Sequence, residues 1–444
     1  MPPDADNEKN GRRDQVEAED AHAAVRKAAK ASFVGNFVEW FDYATYGYLA
    51  AVIATVFFPP GDEVAALLST FAVFALSFLV RPIGGLFWGN WGDKYGRRWA
   101  LSWSIMIMSG STFLIGFLPG YGTIGLWSPA LLLVLRVVQG FSASGEYAGA
   151  AAFMSEYAPA KKRGLYTSVV PASTASGLLA GAIFVFALNA ILSDAQLESW
   201  GWRIPFLLAG PLGYIGRYIR IHLEDSPVYR ELSEKSGHKQ VDAPIRYVFK
   251  KHWKRVMVGL GVTCLNAVAF YLLLSYMPTF LSEEVGMNAD MALLSSSISL
   301  AVYIAMIFLM GHFSDMFGRK RMLLTACVLF ILFAVPGYWL LSTGTFVIVL
   351  LVQIFLCALL TMNDGTLATF LSELFPTRVR YTGFALSFNT ANALFGGTAP
   401  FVATWLVAST GSAIAPGWYL VIVALLALGA MLTIHETAFE PLED

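Results

Sequence analysis

The chain has 444 residues, 56% hydrophobic and only 14% charged, with a mean hydropathy of +0.59 and a net charge of −1. A soluble globular protein is nearer one quarter charged and under half apolar, so most of this surface is built to face something other than water. The three cysteines, Cys264, Cys327 and Cys357, all lie inside apolar runs and give neither a disulfide framework nor a zinc spacing, and the charge leaves no nucleic-acid footprint, so an integral membrane protein remains.

Residues 1–27 are polar and mixed in charge, with no short apolar stretch before a small-residue cleavage site. They read as a disordered cytoplasmic tail and not as a cleavable leader. A helix crossing ~30 Å of hydrocarbon needs about 20 mostly apolar residues. Twelve such runs follow, at roughly 31–56, 65–90, 99–118, 129–155, 165–192, 203–222, 255–282, 290–313, 322–342, 345–371, 382–408 and 415–435. The expected architecture is an all-α membrane protein of twelve transmembrane helices in two pseudo-symmetric six-helix bundles. The first bundle covers 28–222 and the second 253–435, joined by a central cytoplasmic loop at 223–252, with a short tail at 436–444. Nearly all Lys and Arg fall in the tails and in the loops on one side, apart from Arg81, Arg136 and Arg203. Basic loops stay in the cytoplasm, so both termini are expected inside a multi-pass cell-membrane protein of the bacterial inner-membrane kind.

The two halves repeat. GNWGDKYGRR (Gly89–Arg98) follows the second run and GHFSDMFGRKR (Gly311–Arg321) the eighth, with Asp93 and Asp315 separated by 222 residues. SEYAPAKKRG (Ser155–Gly164) follows the fourth run and SELFPTRVRY (Ser372–Tyr381) the tenth, with Glu156/Glu373, Pro159/Pro376 and Arg163/Arg380 all offset by 217. Two repeats of six helices describe a transporter whose site lies at the repeat interface.

The doubled G-x-x-x-D-x-x-G-R-[RK] pattern resembles the signature of the major facilitator superfamily. Further segments resemble its metabolite:proton symporter branch: GNFVEWFDYATYGY (Gly35–Tyr48), RPIGGLFWGNWGDKYGRR (Arg81–Arg98), QGFSASGEYAGA (Gln139–Ala150), WGWRIPF (Trp200–Phe206), LEDSP (Leu223–Pro227) and FPTRVRYTG (Phe375–Gly383). Within the branch, LLSYMPTFLS (Leu273–Ser282) and the block spacing look most like proline/glycine-betaine transporters, although citrate, 2-oxoglutarate, shikimate and dicarboxylate carriers share the motifs. There are two departures. Ser144 stands where the pattern often has a glycine, and only Glu436–Asp444 follow the last run where osmosensing members often carry a long cytoplasmic helix. Regulation through such a helix is therefore not expected.

Ionisable groups inside spans are costly and are functional candidates by default. Here they are Glu39, Asp42, Arg81, Arg136, Glu146 and Asp364. Counting ~1.5 Å per residue puts Glu39, Asp42, Arg81 and Glu146 at one height near the midplane. Asp364 falls slightly nearer the cytoplasm, and Arg136 about 15 Å further out than Glu146. Asn36, Glu39, Tyr43 and Tyr46 form one inward stripe with Asp42 beside it. That stripe is either a site wall, with carboxylates for a proton and aromatic faces for a cation, or a tie in which Arg81 binds Asp42 or Glu39. Glu146, among small residues, is either a proton carrier or a structural ion pair. Arg136 with Gln139-Gly140 resembles a helix-four motif linked to proton coupling, with a substrate carboxylate contact or a structural pair as alternatives. No histidine lies mid-span, so coupling falls on carboxylates. In the second half the polar supply is Asn266, Tyr271, Gln353, Asn363, Asn389, Asn392 and Asp364.

With only Arg81 and Arg136 as mid-span cations, and Tyr43, Tyr46, Phe270, Tyr271, Tyr276 and Phe388 as aromatic faces, a zwitterion fits better than a polyanion. The expected function is proton-coupled uptake of a small zwitterionic solute of the proline or glycine-betaine type by alternating access. Proton symport of an organic acid and uncoupled facilitation are the alternatives. Asp93 with Arg97 and Asp315 with Arg319 are expected to gate at the cytoplasmic surface. No enzyme constellation, metal site or cofactor is expected. The partners are the small-molecule substrate, protons drawn from their gradient and the lipid bilayer, with no nucleic acid and no obligatory protein partner.

Overall fold

The computed structural model describes the backbone of residues 4–61, 63–222 and 244–443. The LEDSP segment and most of the expected central loop, 223–243, lie outside the described residues. The first span is Asp4–Tyr48, continued after a break at Leu49 by Ala50–Phe57. The expected disordered tail is thus helical from Asp4 onward. Its stretch Ala23–Ala31 is rich in Ala, Lys and Arg, which are good helix formers. The second span is Glu63–Leu79 and Arg81–Tyr95, interrupted just before Pro82, which removes a backbone donor. Arg97–Ile115 is the third. The fourth, Trp127–Ala143 and Glu146–Tyr157, breaks at Ser144-Gly145. Arg163–Thr167 with Val169–Ile191 forms the fifth, and Arg203–Ile221 the sixth.

A short amphipathic helix, Pro244–Lys251, leads into the second bundle. The seventh span, Trp253–Phe270 onward, contains wider π-type turns at Tyr271–Tyr276 and Phe280–Glu284 on either side of Pro278. Ala289–Phe317, Arg319–Leu341 and Phe346–Leu374 are the eighth to tenth. Arg380–Ala391, a π turn at Asn392–Gly396 and Ala399–Thr410 make the eleventh, and Ala415–Leu432 the twelfth. Such π turns gather at functional sites.

Eight of these helices are long and apolar enough to cross a membrane on composition alone. The first, third, fourth and sixth are not, for a physical reason. They are broken mid-way or carry Glu39, Asp42, Arg97, Arg98, Arg217 and Arg220, of which Glu39, Asp42, Arg97 and Arg220 are buried against neighbours.

Within the first bundle the first span packs on the fifth, and the third on the fourth and sixth. Within the second, the seventh and ninth pack on the twelfth, and the eighth and ninth on the tenth. The bundles meet chiefly through the second span on the eleventh and the fifth on the eighth, two pairs related by the repeat. Both approaches rely on glycine. A Cβ on Gly89 would come within 2.6 Å of Thr382 Cα, and one on Gly311 within 2.8 Å of the Gly164 carbonyl. Gly96 and Gly318 end the second and eighth spans with φ of 106° and 97°, a conformation that disfavours any side chain.

Candidate functional site

Three ion pairs hold the mid-span carboxylates of the first bundle. Glu39 Oε1 accepts from Arg81 Nη2 at 2.8 Å, tying the first span to the second. Asp42 Oδ2 accepts from Arg136 Nη1 at 2.9 Å and also from Gln139, whose amide in turn reaches Thr112. Glu146 is held through both oxygens by Arg220, which also donates to the carbonyls of Leu101 and Ala31. All six residues are buried, and burying a charge is tolerable only when it is paired and hydrogen-bonded. Asn36 does not line this row. It donates to Val170, Ser173 and Thr174 of the fifth span and fastens two helices.

Around the Glu39–Arg81 pair the two bundles share one aromatic cluster. Trp40 packs edge-on against Phe270 with centroids 5.1 Å apart, and Phe78 against Tyr271 at 5.8 Å. The chain's own guanidiniums take several of the ring faces: Arg81 lies 4.3 Å from the Phe78 ring and 4.8 Å from Tyr43, and Arg136 lies 3.6 Å from Tyr46. Among the described residues, Trp40, Phe270 and Tyr271 are left as rings that face no guanidinium. Buried polar atoms are normally bonded, yet Glu39 Oε2, Asp42 Oδ1, Arg81 Nε, Trp40 Nε1 and Tyr271 OH find no partner among the described residues. Trp40 and Tyr271 pack against each other where the bundles meet, their ring centroids 6.3 Å apart. A groove of about 500 Å³ lined by Ile83, Phe87, Trp91, Trp99, Trp103 and Phe141 is almost wholly apolar and includes no residue of these pairs.

Asp364 differs. It is buried at 2% exposure and accepts from the hydroxyls of Tyr303 in the eighth span and Tyr147 in the fourth, the latter at 3.3 Å. Among the described residues no cation reaches it. Gln353, at the position that repeats Arg136, sits in a neutral network with Ser295, Ser296 and Ser299.

At the basic end two equivalent clamps join the bundles. Asp93 accepts from the backbone of Tyr381 at 3.2 Å and Thr382 at 2.8 Å, and from the Thr382 hydroxyl at 2.6 Å. Asp315 accepts from the backbone of Gly164 at 2.7 Å and Leu165 at 2.9 Å. Each aspartate also pairs with the arginine four residues on, Arg97 at 3.0 Å and Arg319 at 2.8 Å. Glu156 bridges Arg97 to Arg380 of the other bundle, and Glu373 bridges Arg319 to Arg163. Each aspartate sits at the start of the facing span, where free N–H groups and the helix dipole favour an anion. The segment after the last span is bound too. Glu436 accepts from the backbone N–H groups of Arg319 and Lys320, Thr437 donates to Glu373, and the Glu443 carbonyl accepts from Thr377.

The family description "Sugar (and other) transporter" matches residues 27–444. The proline/betaine transporter of Escherichia coli (strain K12) is 38% identical over 429 residues, covering 94% of this chain and 85% of that protein. The glycine betaine/proline/ectoine/pipecolic acid transporter of Dickeya dadantii (strain 3937) matches to the same extent. The chain belongs to this transporter family, within the major facilitator superfamily. In fold it resembles the major facilitator proton:xylose symporter solved with 6-bromo-6-deoxy-D-glucose, at a TM-score of 0.76 and 18% identity, covering 95% of this chain and 98% of that one.

For this transporter, reading the sequence missed several partners. Arg220 groups in sequence with the basic residues of the loop side, yet it is 2% exposed and reaches back to Glu146. That contact, shared with the Ala31 carbonyl, sets Glu146 nearer the basic end than Glu39, so the two are not at one height. The arginine of the Asp42 pair is Arg136, not Arg81. Tyr147 and Tyr303 carried no charge to draw attention. The repeat could have found one of them, since Tyr147 and Asp364 are equivalent positions 217 apart.

Proposed function

We propose that this protein takes up a small zwitterionic solute of the proline or glycine-betaine kind together with protons, by alternating access in a bacterial inner membrane. Its basic end and both termini then lie in the cytoplasm. The names of the similar proline/betaine and glycine betaine/proline/ectoine/pipecolic acid transporters support this substrate class. The observation that carries it is the Glu39–Arg81 pair set among Trp40, Phe78, Phe270 and Tyr271 where the bundles meet.

A zwitterion exchanges partners with such a pair without changing its charge. The substrate carboxylate goes to the Arg81 guanidinium, which binds carboxylate well. The substrate ammonium goes to the free oxygen of Glu39 and the open faces of Trp40 and Tyr271, where a desolvated cation gains up to ~2 kcal/mol. A di- or tricarboxylate would instead bring two or three negative charges beside Glu39 and Asp42, whose arginines are already neutralised. The two clamps hold the cytoplasmic end shut while the substrate binds from outside, and release it in the inward-facing state.

The test is purified protein in liposomes with a pH-sensitive dye inside, given betaine, proline, ectoine, citrate, 2-oxoglutarate or shikimate. Internal acidification with the zwitterions alone is the expected result. A response only to the carboxylates refutes the substrate class. Zwitterion uptake without acidification refutes the coupling.

A further inference from the structure

Among the described residues the buried charges of this protein balance, with one exception. Glu39, Asp42 and Glu146 are matched by Arg81, Arg136 and Arg220, and Asp93, Glu156, Asp315 and Glu373 by Arg97, Arg380, Arg319 and Arg163. Asp364 stands alone. Facing it are the hydroxyls of Tyr303 from the eighth span and Tyr147 from the fourth, with the Asn266 side chain beside it from the seventh. Cys357, two turns away on its own helix, faces Tyr303. No charged side chain faces it from any packed element among the described residues.

Its position is as unusual as its charge. Because Tyr147 and Asp364 are equivalent in the repeat, their bond lies on the pseudo-twofold axis, between the two clamps. The contact is reinforced across the bundles. The Tyr147 ring stacks flat on Phe388 at 4.3 Å, Asn389 donates to the Ser144 carbonyl at 2.8 Å, and Tyr381 donates to the Gly145 carbonyl.

We infer that Asp364 is the carboxylate that carries the coupled proton, and that its bond to Tyr147 is the inner gate which that proton releases. This rests on the proton-coupled reading above. Before substrate arrives, protonating any of the other three mid-span carboxylates strands a buried arginine, whereas Asp364 changes its charge with no such cost. Ionised, it accepts strong bonds from both tyrosines, because bonds to a charged acceptor are about twice as strong as neutral ones. A proton arriving from outside water on an Asp364 oxygen converts it to a carboxylic acid. The cross-bundle bond weakens, and the cytoplasmic end is free to part. The proton then leaves for cytoplasmic water, and the recharged carboxylate draws Tyr147 back as the end closes.

The experiment measures protons taken up per substrate molecule in liposomes, using betaine and the internal pH dye. Wild type must acidify; if it does not, the coupling reading has failed and not the assignment to Asp364. With Asp364→Asn, the ratio falls at least tenfold while betaine still crosses down its gradient. A ratio equal to wild type overturns the assignment, as does loss of betaine binding in a folded Asp364→Asn variant. Tyr147→Phe keeps Asp364 intact and provides the second readout. Its proton ratio falls too, since the end can now open before the proton arrives, and the share of molecules open at the cytoplasmic end rises severalfold between spin labels at Lys161→Cys and Arg378→Cys. An unchanged share overturns the gate.

Discussion

The two clamps look alike, but they are unequal in a way that ranks their mutants. Asp93 makes three hydrogen bonds across the bundle interface, to Tyr381 N, Thr382 N and the Thr382 hydroxyl, whereas Asp315 makes two, to Gly164 N and Leu165 N. The third bond exists because position 382 is threonine where its equivalent, 165, is leucine. A hydrogen bond to a charged group contributes about 1.5–3 kcal/mol net of what water would provide. At the lower end, Asp93→Ala costs the closed form about 4.5 kcal/mol and Asp315→Ala about 3 kcal/mol. The gap of about 1.5 kcal/mol is roughly a tenfold difference in the opening equilibrium. Thr382→Val on its own should cost about as much as the gap, and should bring the two aspartate variants level.

Spin labels at Lys161→Cys and Arg378→Cys report this directly. Both positions are exposed, they are repeat equivalents on opposite bundles, and the native cysteines are buried and will not compete for label. The expected order of open population is Asp93→Ala above Asp315→Ala above wild type. The clamp argument is refuted if Asp315→Ala opens the protein as much as Asp93→Ala, or if neither moves the distance distribution. Substrate affinity at equilibrium should change far less than turnover, because neither aspartate touches the Glu39–Arg81 site.

Gly311→Ala should also raise the open population, since its Cβ meets the Gly164 carbonyl at 2.8 Å only when the bundles are closed; unchanged label distances would count against it. Arg220→Met leaves Glu146 buried without its partner, and breaking such a pair costs about 3–5 kcal/mol. Thermal melts should show a clear loss of stability that the added Glu146→Gln partly restores. Arg81→Gln should weaken betaine binding at least tenfold in calorimetry, and retained affinity would exclude Arg81 as the carboxylate partner. Glu436→Ala frees the N–H groups of Arg319 and Lys320 and should loosen the clamp on Glu373, again read as a larger open population.

Much of this could be read from the residues because the repeat writes it twice. Asp93/Asp315, Arg97/Arg319 and Glu156/Glu373 recur at fixed offsets, and charges at loop ends announce where the helices stop. The mid-span carboxylates were visible because charge is rare in an apolar run. Their partners were harder to see. Counting residues along straight helices assigns heights, but the fourth span breaks at Ser144-Gly145 and a long arginine reaches well past its own turn. Hence Arg220 escaped notice, and Arg136 seemed too far out to meet Asp42. Tyr303, one of the hydroxyl donors on Asp364, left no signal of charge or pattern, and backbone donation from Tyr381 and Gly164 depends on how two helix ends face each other.

Where the repeat is kept and where it is broken divides the molecule by task. At the basic end the equivalence is nearly complete, with the same acids, the same arginines and the same two glycines at the crossing. A gate that holds two like bundles together needs matching halves, since each closes on the other. In the middle the equivalence fails: Arg136 becomes Gln353, Glu146 becomes Asn363, and Tyr147 becomes Asp364. The first bundle keeps paired charges able to exchange partners with a zwitterion, while the second keeps neutral amides and one uncompensated carboxylate. A symmetric site would bind substrate and proton on both bundles alike and could not assign them different tasks. The asymmetry sets Arg81 and Glu39 against Asp364, in different bundles, and the Tyr147–Asp364 bond spans the boundary between them. Any coupling of solute to proton must then pass through the motion that makes or breaks that boundary, which is the step alternating access requires.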